Sequence, residues 1–141
     1  MLTLQAGILA RIQSQVPGFK TVGNPSVMAG LRDIGPLLPA CLVVPGEAKP
    51  VVKAADALPA QEEQAWDIVV IVAHQHRQEA DGLTESLAGA LMDDVFKAVQ
   101  GWKAASSQHK GFVYQGRQAP SYSMGYAEFP MTFTATAVVG Q

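Results

Sequence analysis

Two histidines at alternate positions, His74 and His76, are the side chains of this sequence that could begin a metal site. They end an apolar run that predicts a β-strand, and side chains two residues apart on a strand point to the same face. His109, Glu79 and Asp81 could add a ligand, but none stands at a spacing that defines a metal site. The alternative is that both histidines are polar residues where a core strand leaves the sheet. We therefore predict no bound metal, with His74 and His76 as the candidate ligands for one.

The sequence offers no arrangement for nucleophilic catalysis. Cys41 lies inside an apolar run, and a buried thiol behaves as a small, inert hydrophobic group. No Gly-x-Ser-x-Gly elbow occurs in the chain. Gly101-Trp102-Lys103 lacks the glycine-rich run of a phosphate-binding loop. We predict that the protein is not an enzyme and uses no cofactor.

Composition limits the classes of partner. With 141 residues, 48% of them hydrophobic, the chain fits a single domain, 1–141, with one core. The net charge is -2 and the basic residues are scattered singly, so we predict neither sequence-specific nucleic-acid binding nor attraction to a membrane. The N-terminus lacks the layout of a secretion signal, which favours a product made in the cytoplasm.

The last part of the chain, 126–139, predicts a long strand with two unlike faces. Its threonines share one parity and its apolar residues the other, so one face packs on a core and the other meets water. Pro130 has no N–H for the ladder, which predicts an edge, a strand start or a bulge there. The natural partner is 64–76, whose middle is apolar on both parities. The apolar face carries Ala127, Phe129, Met131, Phe133, Ala135, Ala137 and Val139.

Two helices follow from apolar residues at four-residue spacing. The first covers 2–16, and the second covers 82–100 with Asp81 as a possible cap. A shorter helix is predicted over 27–33, with Ser26 as its cap. The repeating residues are Leu4, Ile8, Ile12 and Val16 in the first helix, and Leu83, Leu87, Leu91, Val95 and Val99, with Ala88, Met92 and Phe96 beside them, in the second.

The remaining segments complete an α+β domain. Apolar runs predict strands at 37–45 and 111–117, whereas 46–64 and 118–125 are predicted as exposed loops, the first of them as a loop or loose hairpin. We predict a mostly antiparallel sheet of about four strands with two main helices packed on one face.

Four stretches of the chain carry a family resemblance. They are 16–19 at the end of the first helix, 37–45, 66–72 before the long helix, and 129–135 in the last strand. In this layout the sequence resembles the tail terminator, or tail-completion, proteins of long-tailed bacteriophages and related prophage modules. The resemblance covers nearly the whole chain and lies in element order and size rather than in a signature motif.

The resemblance implies a structural protein of the virion tail. Such subunits form a homo-oligomer, a hexameric ring on the last layer of the tail tube. The ring stops tube polymerisation and offers its other face to the head–tail connector protein. Neither a metal nor a cofactor nor catalysis is implied.

A ring requires that one patch of each subunit meet a different patch of its neighbour. The polar strand face and the two predicted loops supply the candidates for contact with the next subunit or with the tail-tube protein. These candidates are Lys49, Lys53, Glu62, Glu63, Arg117, Tyr122, Thr132, Thr134 and Thr136.

Two other functions compete with this hypothesis. One is another phage neck or head-closure protein, which the neighbouring genes would distinguish. The other is a small ligand- or metal-binding α+β domain that uses His74 and His76, and it predicts loss of binding in His74→Ala.

Overall fold

A six-stranded sheet forms the centre of the structure, a computed structural model that describes residues 3–30, 33–51, 55–56, 60–74, 82–104 and 111–139. Along the chain the elements are α1 (Thr3–Gln15), β1 (Thr21–Gly23), β2 (Ala40–Pro50), β3 (Ala60–His74), α2 (Leu83–Val99), β4 (Val113–Arg117), β5 (Ser121–Ser123) and β6 (Gly125–Val139). Two 3₁₀ turns, Pro25–Met28 and Gly35–Leu37, lie between β1 and β2. The strand order is β1-β2-β3-β6-β4, and β5 also pairs with β6.

The two long strands β3 and β6 form the antiparallel centre of this sheet. They pair without a register shift from Ala60 opposite Val139 to His74 opposite Gly125. Trp66 lies opposite Phe133, and both side chains are buried. The pairing predicted from the two apolar runs is confirmed.

The prediction of about four strands was too low, and the sheet is mixed. β1 runs parallel to β2, whereas each of the other strand pairs in the described residues is antiparallel. The strands that the sequence did not reveal, β1 and β5, have three residues each. A strand of three residues is too short to show an alternating pattern.

Both helices pack on one face of the sheet and close the main core. The repeat residues of α1 are buried, and so is every second residue of β6 from Ala127 to Ala137, as their spacing predicts. The α1 guanidinium of Arg11 donates to the Ala98 carbonyl of α2 at 2.9 Å and lies over the Trp102 ring. No helix in the described part of the chain is long and apolar enough to cross a membrane.

The first two turns of α2 extend beyond the end of α1. Gly18, just after the end of α1, lies close to Leu91 of α2, because a Cβ built on Gly18 would be 2.9 Å from the Leu91 side chain. The residues of α2 that precede Leu91 are therefore not covered by α1. Leu83 and Leu87, predicted to belong to the core stripe, are therefore 52% and 46% exposed. Phe96 is exposed as well, on the other flank of the helix, where it packs edge-on against Tyr114.

The other face of the sheet is covered only in part. Leu38, Ala40, Leu42 and Ile71 form a small second core there, with Met28 and Ile34 of the turn region packed against it. The helix predicted over 27–33 is a 3₁₀ turn that begins earlier, and residues 31 and 32 lie outside the described residues. Asn24, rather than Ser26, caps this turn, because the Asn24 Oδ1 accepts the Ser26 N–H at 3.0 Å.

The segment 46–64 forms a hairpin over most of its length, which is the second of the two forms that the sequence predicts for it. β2 continues to Pro50 and β3 starts at Ala60, so 51–59 joins the strands. The sequence did not predict the extended strands, because the residues in question are polar. They are held as strands by pairing, since β3 forms ladders there with both β2 and β6. Likewise β5 forms inside the predicted loop 118–125.

Pro130 lies in the middle of β6, opposite Val69, rather than at a strand end or an outer edge. Its carbonyl accepts the Gln118 N–H at 3.1 Å, on the side of β6 where β4 has ended and β5 has not begun. A strand residue directs its N–H and C=O to the same neighbour, so the missing proline donor faces this gap. The proline therefore costs the sheet no ladder hydrogen bond.

Replacing Phe133 by alanine should lower the free energy of unfolding by about 3–5 kcal/mol, because a fully buried ring leaves a cavity. Val113→Ala is the matched control: this residue of the neighbouring strand is 44% exposed, and the change should stay within about 0.5 kcal/mol. Urea unfolding followed by tryptophan fluorescence measures both. Equal destabilisation by the two substitutions would contradict the described core.

Candidate assembly interface

His74 lies inside the fold, between the start of α2 and β5. Its side chain is buried, its Nδ1 lies 3.0 Å from the Thr84 Oγ1, and its ring centroid lies 5.0 Å from that of Tyr122. His76 lies outside the described residues. Within the residues that are described, no group of three or more His, Cys, Asp or Glu side chains could hold a metal ion. The absence of a bound metal therefore stays a prediction, and a site that pairs His74 with His76 stays the untested alternative.

Cys41 is buried in the main core on β2. Desolvation by burial raises the pKa of its thiol well above the usual range. A thiol that keeps its proton is a poor nucleophile, so the chemistry of Cys41 agrees with the inert, hydrophobic role that its sequence context indicates.

The threonines of β6 form an ordered polar row on the sheet face away from the helices. The Thr132 hydroxyl donates to the Asp67 carboxylate at 2.7 Å, and the Gln115 amide donates to the Thr134 Oγ1 at 2.9 Å. The three threonines are half-buried rather than fully exposed to water, because residues of β3 and β4 flank them. Their hydrogen bonds fix the side chains, which suits a surface for specific contacts.

Three predicted interface residues, Lys49, Glu63 and Thr136, lie side by side on this face near the C-terminal end of β6. Glu63 pairs in register with Thr136 on one side and with Lys49 on the other. Glu62 points to the opposite face, where its Oε1 accepts from the Gln64 amide at 2.9 Å. Lys53 lies outside the described residues.

The distal part of β2, residues 45–51, is here called the arm. Every residue of the arm is exposed, so no residue that the structure describes covers either face of this strand. β1 pairs only with Ala40–Leu42, which leaves the arm at the edge of the sheet. The arm carries Pro45, Pro50, Glu47 and Lys49, and prolines and charges at an edge discourage indiscriminate strand pairing.

A β-bulge sets the direction of the arm. Pro45 pairs with Trp66 and Ala48 pairs with Gln64, so Gly46 and Glu47 together face the single residue between those partners. A Cβ on Gly46 would lie 3.1 Å from a backbone carbonyl oxygen of β3, a tight approach that favours glycine. Bulges bend a strand and re-aim a side chain, here that of Glu47.

A groove separates α2 from the β4–β5 edge of the sheet. It consists of two adjoining cavities of about 400 Å³ and 280 Å³ that share Gly89, Met92 and Arg117 in their walls. Phe129 and Met131 line its base. Arg117, one of the predicted interface residues, is exposed on the strand side of this groove, whose walls combine charged and apolar side chains.

Tyr122 closes one end of the groove. Its hydroxyl donates to the Glu85 carboxylate of α2 at 2.7 Å, and its ring meets that of Phe129 edge-on at 6.0 Å. The hydrogen bond from Tyr122 is the main cause that lowers the pKa of Glu85, and a backbone hydrogen bond and the charge of His74 add to it. Tyr122 thus ties β5 to the helix layer.

The structure divides the predicted interface residues between two surfaces. Lys49, Glu63 and the threonines lie on the open sheet face or its arm, whereas Arg117 and Tyr122 line the groove on the helix side. Sequence reasoning missed Glu47 and the exposed Leu83 and Leu87. The Pro-Gly-Glu sequence at 45–47 could have indicated Glu47. Nothing in the sequence could have indicated that the two leucines are exposed, because their spacing is that of a buried helix stripe.

The described residues thus present an ordered open face, an uncovered arm and a groove beside α2. The family model for the phage tail terminator protein matches residues 3–141, and the chain therefore belongs to this family. The family resemblance drawn from the sequence is confirmed, and membership gives the chain a structural role in a phage tail.

A comparison with solved structures supports the fold independently. A chain described as "Virion of native gene transfer agent (GTA) particle" matches with a TM-score of 0.61 and 18% identity, over 96% of this chain and 94% of that one. At this identity the likeness is one of fold. No curated protein sequence matches the chain significantly.

Replacing Tyr122 by phenylalanine should raise the pKa of Glu85 toward its ordinary value, because the largest cause of its lowering is removed. In the unchanged protein, the stability that this carboxylate contributes is present above its ordinary pKa and is lost as the pH falls through the lowered one. NMR titration of the side-chain carboxyl carbons measures the shift. Ser121→Ala is the control on the same strand, and an unchanged Glu85 pKa in Tyr122→Phe would contradict the assigned hydrogen bond.

Proposed function

We propose that this protein caps the end of a phage tail tube as a closed ring of six copies. The ring stops further tube polymerisation and forms the interface to the head connector. The observation that carries this proposal is the match of the tail terminator family model to residues 3–141, nearly the whole chain.

The geometry of the subunit supports a ring. Closed rings use heterologous contacts, in which a patch on one subunit meets a different patch on the next. The sheet face with its arm and the groove on the helix side are two such patches, and they differ in polarity and shape. A subunit with unlike patches on separate surfaces suits this kind of closure.

One end of the subunit also suits docking to another tail component. Leu83 and Leu87 are exposed at the start of α2, and Met124 is 92% exposed in the turn between β5 and β6. The contacts of His74 with Thr84 and Tyr122 hold these segments at the same end. Exposed apolar groups gathered in this way are typical of interaction surfaces.

The mass of the protein in solution is the first test of the ring. Light scattering behind size exclusion should give a species of about 89 kDa for six subunits of 14.9 kDa at high concentration. A closed oligomer of a clearly different size would contradict the six-membered ring. A monomer at every concentration would leave a ring only on the tube end, where electron microscopy of capped tubes counts the copies.

Capping itself is tested by adding the protein to the polymerising tail-tube protein of the same phage. Tubes should become shorter and end in a ring seen by electron microscopy. The variant with Leu83→Asp and Leu87→Asp should cap at least tenfold less efficiently if that end binds a tail component, because charges replace exposed apolar contacts. Ser86→Asp adds a charge on the same turns without removing an apolar group and is the control. Tubes of unchanged length with the unaltered protein would contradict the proposed function.

A further inference from the structure

Among the described residues, nothing packs on either face of the arm. Each residue from 45 to 51 is exposed, and a ladder to β3 holds the strand in place. Residues two apart on a strand are separated by about 7 Å and point the same way. Glu47 and Lys49 thus present a negative and a positive charge at this spacing, beside the small apolar surfaces of Pro50 and Val51.

The groove presents the opposite arrangement of charge. Arg117 from β4 and Asp93 from α2 stand on opposite walls of the 280 Å³ cavity, and both are exposed. The base between them is apolar, with Met92 and Met131. An extended segment with a carboxylate, an ammonium group and small apolar side chains matches this combination.

The arm cannot reach the groove of its own subunit. The arm lies on β2, whereas the groove lies between α2 and the β4–β5 edge, and β3 and β6 stand between β2 and β4. Three strand spacings separate β2 from β4, about 14 Å, and the helix layer covers the path on the groove side. Each copy therefore has one arm and one groove that only different neighbours can fill.

We propose that the arm of one subunit docks in the α2–β4 groove of the next copy. Glu47 faces Arg117, Lys49 faces Asp93, and Val51, which follows Lys49 on the same side of the strand, lies on the apolar base. The contact is heterologous, and such a contact gives a closed ring when the rotation from one copy to the next closes. This inference rests on the proposed ring and adds the segment and the site that join its members.

Disulfide trapping tests the contact directly, even where association is weak. The variant with Glu47→Cys and Arg117→Cys should form, under mild oxidation, a covalent ladder of dimers and higher oligomers on non-reducing gels. The native Cys41 is buried and stays out of the reaction. In the matched control, Glu47→Cys is combined with Asp94→Cys, which lies beside Asp93 on α2 but about 100° around the helix. No ladder, or an equal ladder in the control, would overturn the proposal.

Charge reversal tests the assigned pair. Glu47→Arg and Arg117→Glu should each weaken self-association, or assembly on the tube end where that is required, about tenfold, because each brings like charges together. The two substitutions combined should restore association to near the original level. Both residues are exposed, so circular dichroism and thermal unfolding should be unchanged. A double variant as weak as the sum of the single variants would overturn the pairing.

The outcomes separate this inference from the proposed function. A ring and capped tubes without a specific ladder would leave the function intact and overturn the arm contact. Trapping to the tube protein instead of to a second copy would likewise overturn it, in favour of a tube partner for the arm. Loss of capping with a specific ladder would contradict the function and retain the contact between copies.

Discussion

The uninterrupted ladder between β3 and β6 is the interaction on which the rest of the structure depends. Fifteen residue pairs align without a shift, so every side chain of both strands is assigned to one face or the other. A slip of one residue would move the apolar set of β6 to the open face and its threonines into the core. The helices, the edge strands and the arm all take their positions from this register.

The same register gives the two faces their different character. On the helix side, α1 and α2 seal large side chains such as Trp66 and Phe133. On the other side, the turn region covers only the part near β1 and β2, and the hydrogen-bonded threonines remain accessible. Burial of the helix-side face stabilises the fold. The other face is covered only in part, which leaves an ordered surface that partners could contact.

The predictable parts of this fold were those with a long repeating pattern. The alternation of β6 and the four-residue spacing of α1 gave the strand, its buried face and the helix nearly to the residue. The extension of β2 and β3 was not visible, because charged residues near Glu62 belong to a strand only through pairing with neighbours. Leu83 and Leu87 are exposed because the chain at the end of α1 reaches only as far as Leu91 of α2. How two helices overlap is a tertiary feature that no local sequence pattern encodes. For the interface, residue type suggested charged and polar candidates, but only the fold assigns them to an arm, a face and a groove.

The proline in the gap between β4 and β5 has a consequence for solubility. Crowded copies of a sheet protein can join at random wherever a strand edge offers backbone donors. At Pro130 the central strand passes such a gap, and there the backbone has no N–H to offer, while Gln118 already occupies the carbonyl. The sheet therefore resists growth by strand addition at this break, so that crowded copies of the protein are less able to join through bare backbone.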